Sequence, residues 1–137
     1  MKNILAGIIL TFTLFSTNAQ DTNQRIIIDV TSTNFKVYQS VLLTLKIMTA
    51  SHPNTQFDVI AYGEAVPMMM KNRSVVADQI LKYQNNDNIT FTACEVSMSL
   101  FNIKREQLLD GILTVENAID EIVKKQEKGW GYIKSGI

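Results

Sequence analysis

The stretch Arg25-Ile26-Ile27-Ile28-Asp29-Val30-Thr31 is nearly continuous in apolar β-branched residues, so as a strand it carries apolar side chains on both faces. Such a strand belongs in a sheet covered on both sides, as parallel sheets are, rather than in one with a wet face. Comparable short apolar runs follow at Phe57-Asp58-Val59-Ile60-Ala61-Tyr62, Ile89 to Ala93 and Ile112-Leu113-Thr114-Val115. Each is set off by turn residues: His52-Pro53-Asn54, Asn85-Asn86-Asp87-Asn88 and Asp110-Gly111.

Helical patterns fill the intervals. Ser32, Thr33 and Asn34 are capping residues for a helix whose Phe35, Tyr38, Leu42, Leu45 and Met48 share one stripe, with Lys36, Gln39 and Lys46 outside it. Pro53 disfavours helical geometry at His52 and ends that helix. Gly63 to Met70 reads as a loop or half-helix, and Ser74 caps a further helix with Val75, Val76, Ile80 and Leu81 inward. From Asn117 an amphipathic helix turns Ala118, Ile119, Ile122 and Val123 inward. It ends in Lys124, Lys125 and Lys128, cations suited to a helix C-terminus, with Gly129 as the cap. Trp130-Gly131-Tyr132-Ile133 is a fifth, edge, strand. Strands alternating with helices of this length predict a three-layer α/β/α domain with a mainly parallel five-stranded sheet.

The first 19 residues stand apart from that domain. Met1-Lys2-Asn3 gives a positive start, Ile4 to Phe15 is free of charge, and Thr17-Asn18-Ala19 offers small residues for cleavage, the layout of a secretory signal peptide. The apolar run is shorter than the roughly 20 residues needed to span a bilayer. The domain is therefore expected over residues 20–137, soluble, and periplasmic or secreted. Thirteen basic residues balance thirteen acidic ones without clustering, so neither nucleic acid nor, after cleavage, a membrane surface is an expected partner.

Export gives the single cysteine its meaning, because Cys94 has no partner for an internal disulfide. It falls where the strand pattern of Ile89 to Ala93 gives way to the helical offsets of Val96 to Phe101. Backbone N–H groups at a helix start stabilise an anion and favour the thiolate, whereas the carboxylate of Glu95, next in sequence, opposes it. Two readings stay open: a reactive thiol, or a small buried hydrophobe. In a parallel α/β sheet ligands bind outside the carboxyl ends of the strands. Those ends bring forward Asn34, Tyr62, Gly63, Glu64, Glu95, Ser97 and Asn117 as ligand-binding candidates beside Cys94. His52 lies at the other end of the sheet, which argues against a Cys–His pair. No glycine-rich phosphate cradle occurs, so no nucleotide cofactor is expected. Neither the Met68-Met69-Met70 run, whose consecutive residues do not share a helix face, nor the carboxylates Glu64, Glu95 and Glu116 make a convincing metal site.

Ala93-Cys94-Glu95-Val96-Ser97-Met98, Leu108-Leu109-Asp110-Gly111 and the ending Gln126-Glu127-Lys128-Gly129-Trp130-Gly131-Tyr132-Ile133 carry a likeness: the chain from about Arg25 to Ile133 resembles the DsrE/DsrF-like, sulfur-relay family. The resemblance implies a Rossmann-like fold, homo-oligomers, and a cysteine, here Cys94, that carries sulfur as a persulfide to a thiol-bearing protein or small sulfur compound. The chain departs from many relatives in having Tyr62-Gly63 for a His-Gly pair and Glu116-Asn117-Ala118 for a Pro-Ala-Gly turn. A persulfide or mixed-disulfide carrier is thus one expected function. A non-catalytic oligomeric binding module, with Cys94 incidental, is the other. N-terminal sequencing of exported protein should read from about Gln20; an intact Met1 in the membrane fraction would overturn the cleavage.

Overall fold

The structure, a computed structural model, describes residues 23–136, so the expected signal peptide at 1–19 lies outside the described residues. Five strands, β1 (Arg25–Val30), β2 (Gln56–Ala61), β3 (Ile89–Cys94), β4 (Leu113–Val115) and β5 (Gly131–Lys134), form one sheet in the order β4-β3-β2-β1-β5. Every pairing is parallel. The helices are α1 (Phe35–Ser51), α2 (Ala77–Leu81), α3 (Glu95–Leu100) and α4 (Ala118–Glu127), with 3-10 helices at Gly63–Met69 and Arg105–Gln107.

Strand alternation sends neighbouring residues to opposite faces, and both faces are covered. Ile28, Val30, Phe57, Val59, Ala61, Ile89, Phe91 and Ala93 pack in a large core with α1, the Gly63–Met69 helix, Ile80 of α2 and Met98 of α3. Ile27, Ile60 and Cys94 face the other way, against Ala118 and Ile122 of α4. The nearly continuous apolar run of β1 is therefore split between two helical layers, and the fold is a three-layer, Rossmann-like α/β/α domain.

The inward stripes differ in detail from those read in the sequence. In α1 the buried residues are Val37, Tyr38, Val41, Leu42 and Leu45, while Phe35 is exposed. The five residues group at i, i+3, i+4 spacing, so the two valines take the place given to Phe35. Before α2 the Ser74 hydroxyl accepts from the Val76 N–H at 3.3 Å in a turn; only Val76 and Ile80 are buried, and Val75 and Leu81 face solvent. In α4 Ile119 and Val123 are exposed, because the side turned to the sheet is Ala118, Ile122 and Lys125. Met68, Met69 and Met70 are all buried in the large core.

Chain direction decides where the sheet opens. From β3 the chain enters α3 on the large-core face; from β4 it enters α4, which crosses the other face to β5 beyond β1. Because these adjacent strands send their chains to opposite faces, a crevice forms at their carboxyl ends. The paired residues there are Cys94 and Val115.

Beneath α4 the sheet buries charge. Asp58, in the middle of β2, accepts from Thr92 Oγ1 at 2.7 Å and pairs with Lys125 Nζ at 2.9 Å; that ammonium lies 4.1 Å from the centroid of the Trp130 ring. Removing one member of a buried pair strands the other charge, at a cost of about 3 kcal/mol. Lys125→Met should lower unfolding stability by that amount in urea titrations followed by circular dichroism, and adding Asp58→Asn should recover more than half of the loss.

Candidate functional site

Cys94 is the last residue of β3 and the N-cap of α3, with φ −84° and ψ 121°, so no linker separates strand from helix. The extended backbone turns its side chain to the α4 face, under the turn that joins β4 to α4. There the sulfur accepts from the Ala118 N–H at 3.4 Å, and the thiol donates to the Glu116 carbonyl at 3.8 Å. Only 4% of the residue is exposed.

Burial pushes the Cys94 thiol up, but donation to the sulfur from the Ser97 hydroxyl and from the N–H groups of Ser97, Ala118 and Val96 outweighs it and holds the thiol below its ordinary value. Of these donors, the Ala118 N–H makes the hydrogen bond to the sulfur, at 3.4 Å. Glu95 is exposed to solvent and is not among the causes. The opposition its carboxylate posed in the sequence is thus screened away. Ionisation of a thiol held low when folded stabilises the fold at alkaline pH. The gain is complete above the unfolded thiol's value and lost as pH falls through the folded one.

Ser97, in the first turn of α3, is itself buried, and its hydroxyl accepts from the Gly63 N–H at 2.8 Å. Gly63 has φ +58°, in the left-handed region that other residues enter at a cost. The turn after β2 is therefore bonded directly to the turn after β3.

On the other side of Tyr62 lies a cluster that sequence reasoning missed. Asp29, buried in β1, accepts at Oδ2 from Tyr62 Oη (3.1 Å) and Tyr132 Oη (2.5 Å), and at Oδ1 from Lys134 Nζ (2.9 Å). Lys134 also donates to Thr31 Oγ1 at 2.7 Å and sits 5.5 Å from the Tyr62 ring centroid. The bond to Asp29, then burial, push the Tyr132 phenol up to about 12. Tyr62 is raised by burial first, then by the Asp29 charge and bond, and last by the charge of Cys94. The one signal of this cluster in the sequence was Asp29 itself, the acid interrupting an apolar strand.

The other candidates divide. The Asn34 side chain accepts from the Lys36 N–H at 2.9 Å, and that of Asn117 from the Ile119 N–H at 2.9 Å, so both oxygens serve as helix caps. Glu95 and Glu116 line one open cleft beside the crevice with Val96, Ser99 and Leu100. Glu64 lines a different one with Thr33, Pro67, Arg73 and Phe101. The three carboxylates do not converge, and among the described residues no three His, Cys, Asp or Glu side chains are placed to share a metal ion. His52 caps the C-terminus of α1, whose chain then enters the amino end of β2, at the far end of the sheet from Cys94.

This architecture recurs in solved structures. Protein MTH1491 of Methanobacterium thermoautotrophicum, described as of unknown function, has a TM-score of 0.76 at 19% identity; the match covers 81% of this chain and 98% of that one. The ychN protein of E. coli has a TM-score of 0.66 at 13% identity, covering 81% and 98%. BT1422 of Bacteroides thetaiotaomicron, a conserved protein of unknown function, has 0.66 at 18% identity, covering 85% and 99%. At these identities the likeness is one of fold. No curated protein matches the sequence. A family model does, over residues 20–128, which take in β1 to β4, the cysteine turn and all of α4: the chain belongs to the DsrE/DsrF/DrsH-like family.

Proposed function

We propose that the protein is an exported sulfur carrier that works through Cys94. The observation that carries this reading is the position of Cys94 at the carboxyl end of β3, beside β4, with the Ala118 N–H donating to its sulfur. Family membership supports it, since a sulfur-relay role goes with DsrE-like proteins. In the first step the Cys94 thiolate attacks the outer sulfur of a sulfane donor. The donor S–S bond breaks, its electron pair leaves with the donor fragment as sulfite or a thiolate, and Cys94 holds a persulfide. An acceptor thiolate then attacks that outer sulfur and Cys94 departs as a thiolate, so the cycle needs no external oxidant or reductant. Access requires the Glu116-Asn117 turn over the sulfur to yield, because Cys94 is buried at rest.

Incubating the mature protein with thiosulfate or inorganic polysulfide should add one sulfur atom to the wild type and none to Cys94→Ser, read by intact-mass spectrometry. No adduct on the folded wild type, or the same adduct on the variant, rejects the carrier. The binding module is the reading that burial of Cys94 favours. It predicts that the thiol stays protected from labelling at near-neutral pH until the protein is denatured.

Assembly into a homo-oligomer belongs to the same proposal. Val96 and Leu100 of α3, Ile119 and Val123 of α4, and Tyr132 and Ile133 of β5 are apolar or aromatic side chains left at the surface, as an interface requires. Light scattering at micromolar concentration should return a multiple of the mature chain's mass; a single-chain mass overturns the oligomer.

A further inference from the structure

Between α1 and the segment Gln79 to Tyr83, on the face of the sheet opposite α4, runs an open groove of about 540 Å³. That is room for a small molecule. Leu43 of α1, 56% exposed, gives the groove apolar surface, and Gln39, Lys46, Gln79, Lys82 and Tyr83 surround it with polar groups. The charge here is one-sided, because two lysines line the groove and no carboxylate does. All seventeen residues of α1 lack an acid. The ion pairs formed among the described residues take Lys71, Lys125 and Lys134, so neither groove ammonium has a carboxylate partner there. Asp78, the acid closest in sequence to Lys82, does not line the groove. The Tyr83 ring packs in a tilted arrangement on Phe91 of β3, with centroids 6.2 Å apart. Burial pushes its phenol up, so near neutral pH it remains a hydrogen-bond donor.

We propose that this groove binds a small amphipathic anion, a carboxylate or sulfonate on an apolar body, whose charge is taken by Lys46 and Lys82 and whose body lies on Leu43. The carboxamides of Gln39 and Gln79 and the Tyr83 hydroxyl supply neutral donors for the remaining lone pairs of the anionic group. A single exposed ammonium attracts an anion weakly in water. Two ammoniums beside apolar surface do better, because burying the ligand body is favourable in itself and removes water that would screen the charges. A cationic amphiphile of the same length would bury the same surface and meet repulsion instead. A second copy seated face to face on this groove would set lysines against lysines, which disfavours it as the occupant. The groove and Cys94 lie on opposite faces of the sheet, so binding here does not depend on sulfur chemistry.

The test titrates the isotope-labelled mature protein with 1-octanesulfonate and with octanoate, following backbone amide shifts by nuclear magnetic resonance. Both anions should bind saturably, with the largest shifts in the segments Gln39 to Lys46 and Gln79 to Tyr83, and more weakly as salt is raised. Octylammonium should not bind there. Lys46→Gln and Lys82→Gln should each weaken the anions by roughly threefold to tenfold with the circular dichroism of the wild type retained. Cys94→Ser should bind as the wild type does. Leu43→Asp, at an exposed position, should weaken binding without changing the mass read by light scattering. Octylammonium binding as tightly as the anions, shifts centred elsewhere, or unchanged affinity in both folded lysine variants would overturn the proposal. So would a changed mass in Leu43→Asp, which gives the groove to a second copy. Capture by phosphatidylglycerol vesicles that needs the same lysines, with no binding of either soluble anion, would give it to a membrane surface and overturn the proposal as well.

Discussion

Much of this molecule follows from one crossover. The first four strands add side by side in one direction, and the fifth is placed beyond the first, so the chain leaving β4 crosses the whole sheet before it can pair again. The only helix it forms on the way, α4, lies on the face that α1, α2 and α3 do not use. That choice has two effects. It opens a crevice between the carboxyl ends of β3 and β4, and it leaves one ten-residue helix to cover a whole sheet face.

The thin cover explains the chemistry beneath it. The α4 face of the sheet carries Asp29, Asp58 and Thr92, all buried. A buried carboxylate is tolerable only with partners, and each has them: Lys125 and Thr92 for Asp58, and Tyr62, Tyr132 and Lys134 for Asp29. Among the described residues no buried side-chain nitrogen or oxygen lacks a hydrogen bond. Asp29 also gives the edge strand its anchorage. All four residues of β5 are exposed, so its hold on the sheet rests on pairing with β1 and on Tyr132, Lys134 and the Ser135 bonds to the Asp29 carbonyl.

Cys94 belongs to both themes. It is packed with Ile27, Ile60 and Ala118 as a small apolar side chain would be, yet its sulfur accepts from the Ala118 N–H and its thiol donates to the Glu116 carbonyl. Burial and donation pull its ionisation in opposite directions, and donation prevails. The cover over the sulfur and the hydrogen bond to it are therefore products of the same packing. The turn that hides the sulfur, Glu116-Asn117-Ala118, also supplies one of its donors.

The alternation of apolar strands and capped helices was legible in the sequence because it is a local property. β-branched runs, Asn34 and Asn117 as caps, and proline and glycine at the ends each act within a few residues. The same locality placed Cys94 at a strand end before a helix. Helix rotation was not local: Phe35, Ile119 and Val123 fit an inward stripe by spacing, but the sheet they meet accepts Val37, Val41 and Lys125 instead. Nor did the sequence hold the Asp29 cluster, in which the partners lie 33 to 105 residues from Asp29, or the Gly63–Ser97 bond across 34 residues. Those pairings exist only once parallel register brings the ends of β1, β2, β3 and β5 onto one rim. Sequence determined which elements form and what chemistry each can offer; tertiary structure alone decided which side chains meet, because that depends on strand order and on the face each crossover takes.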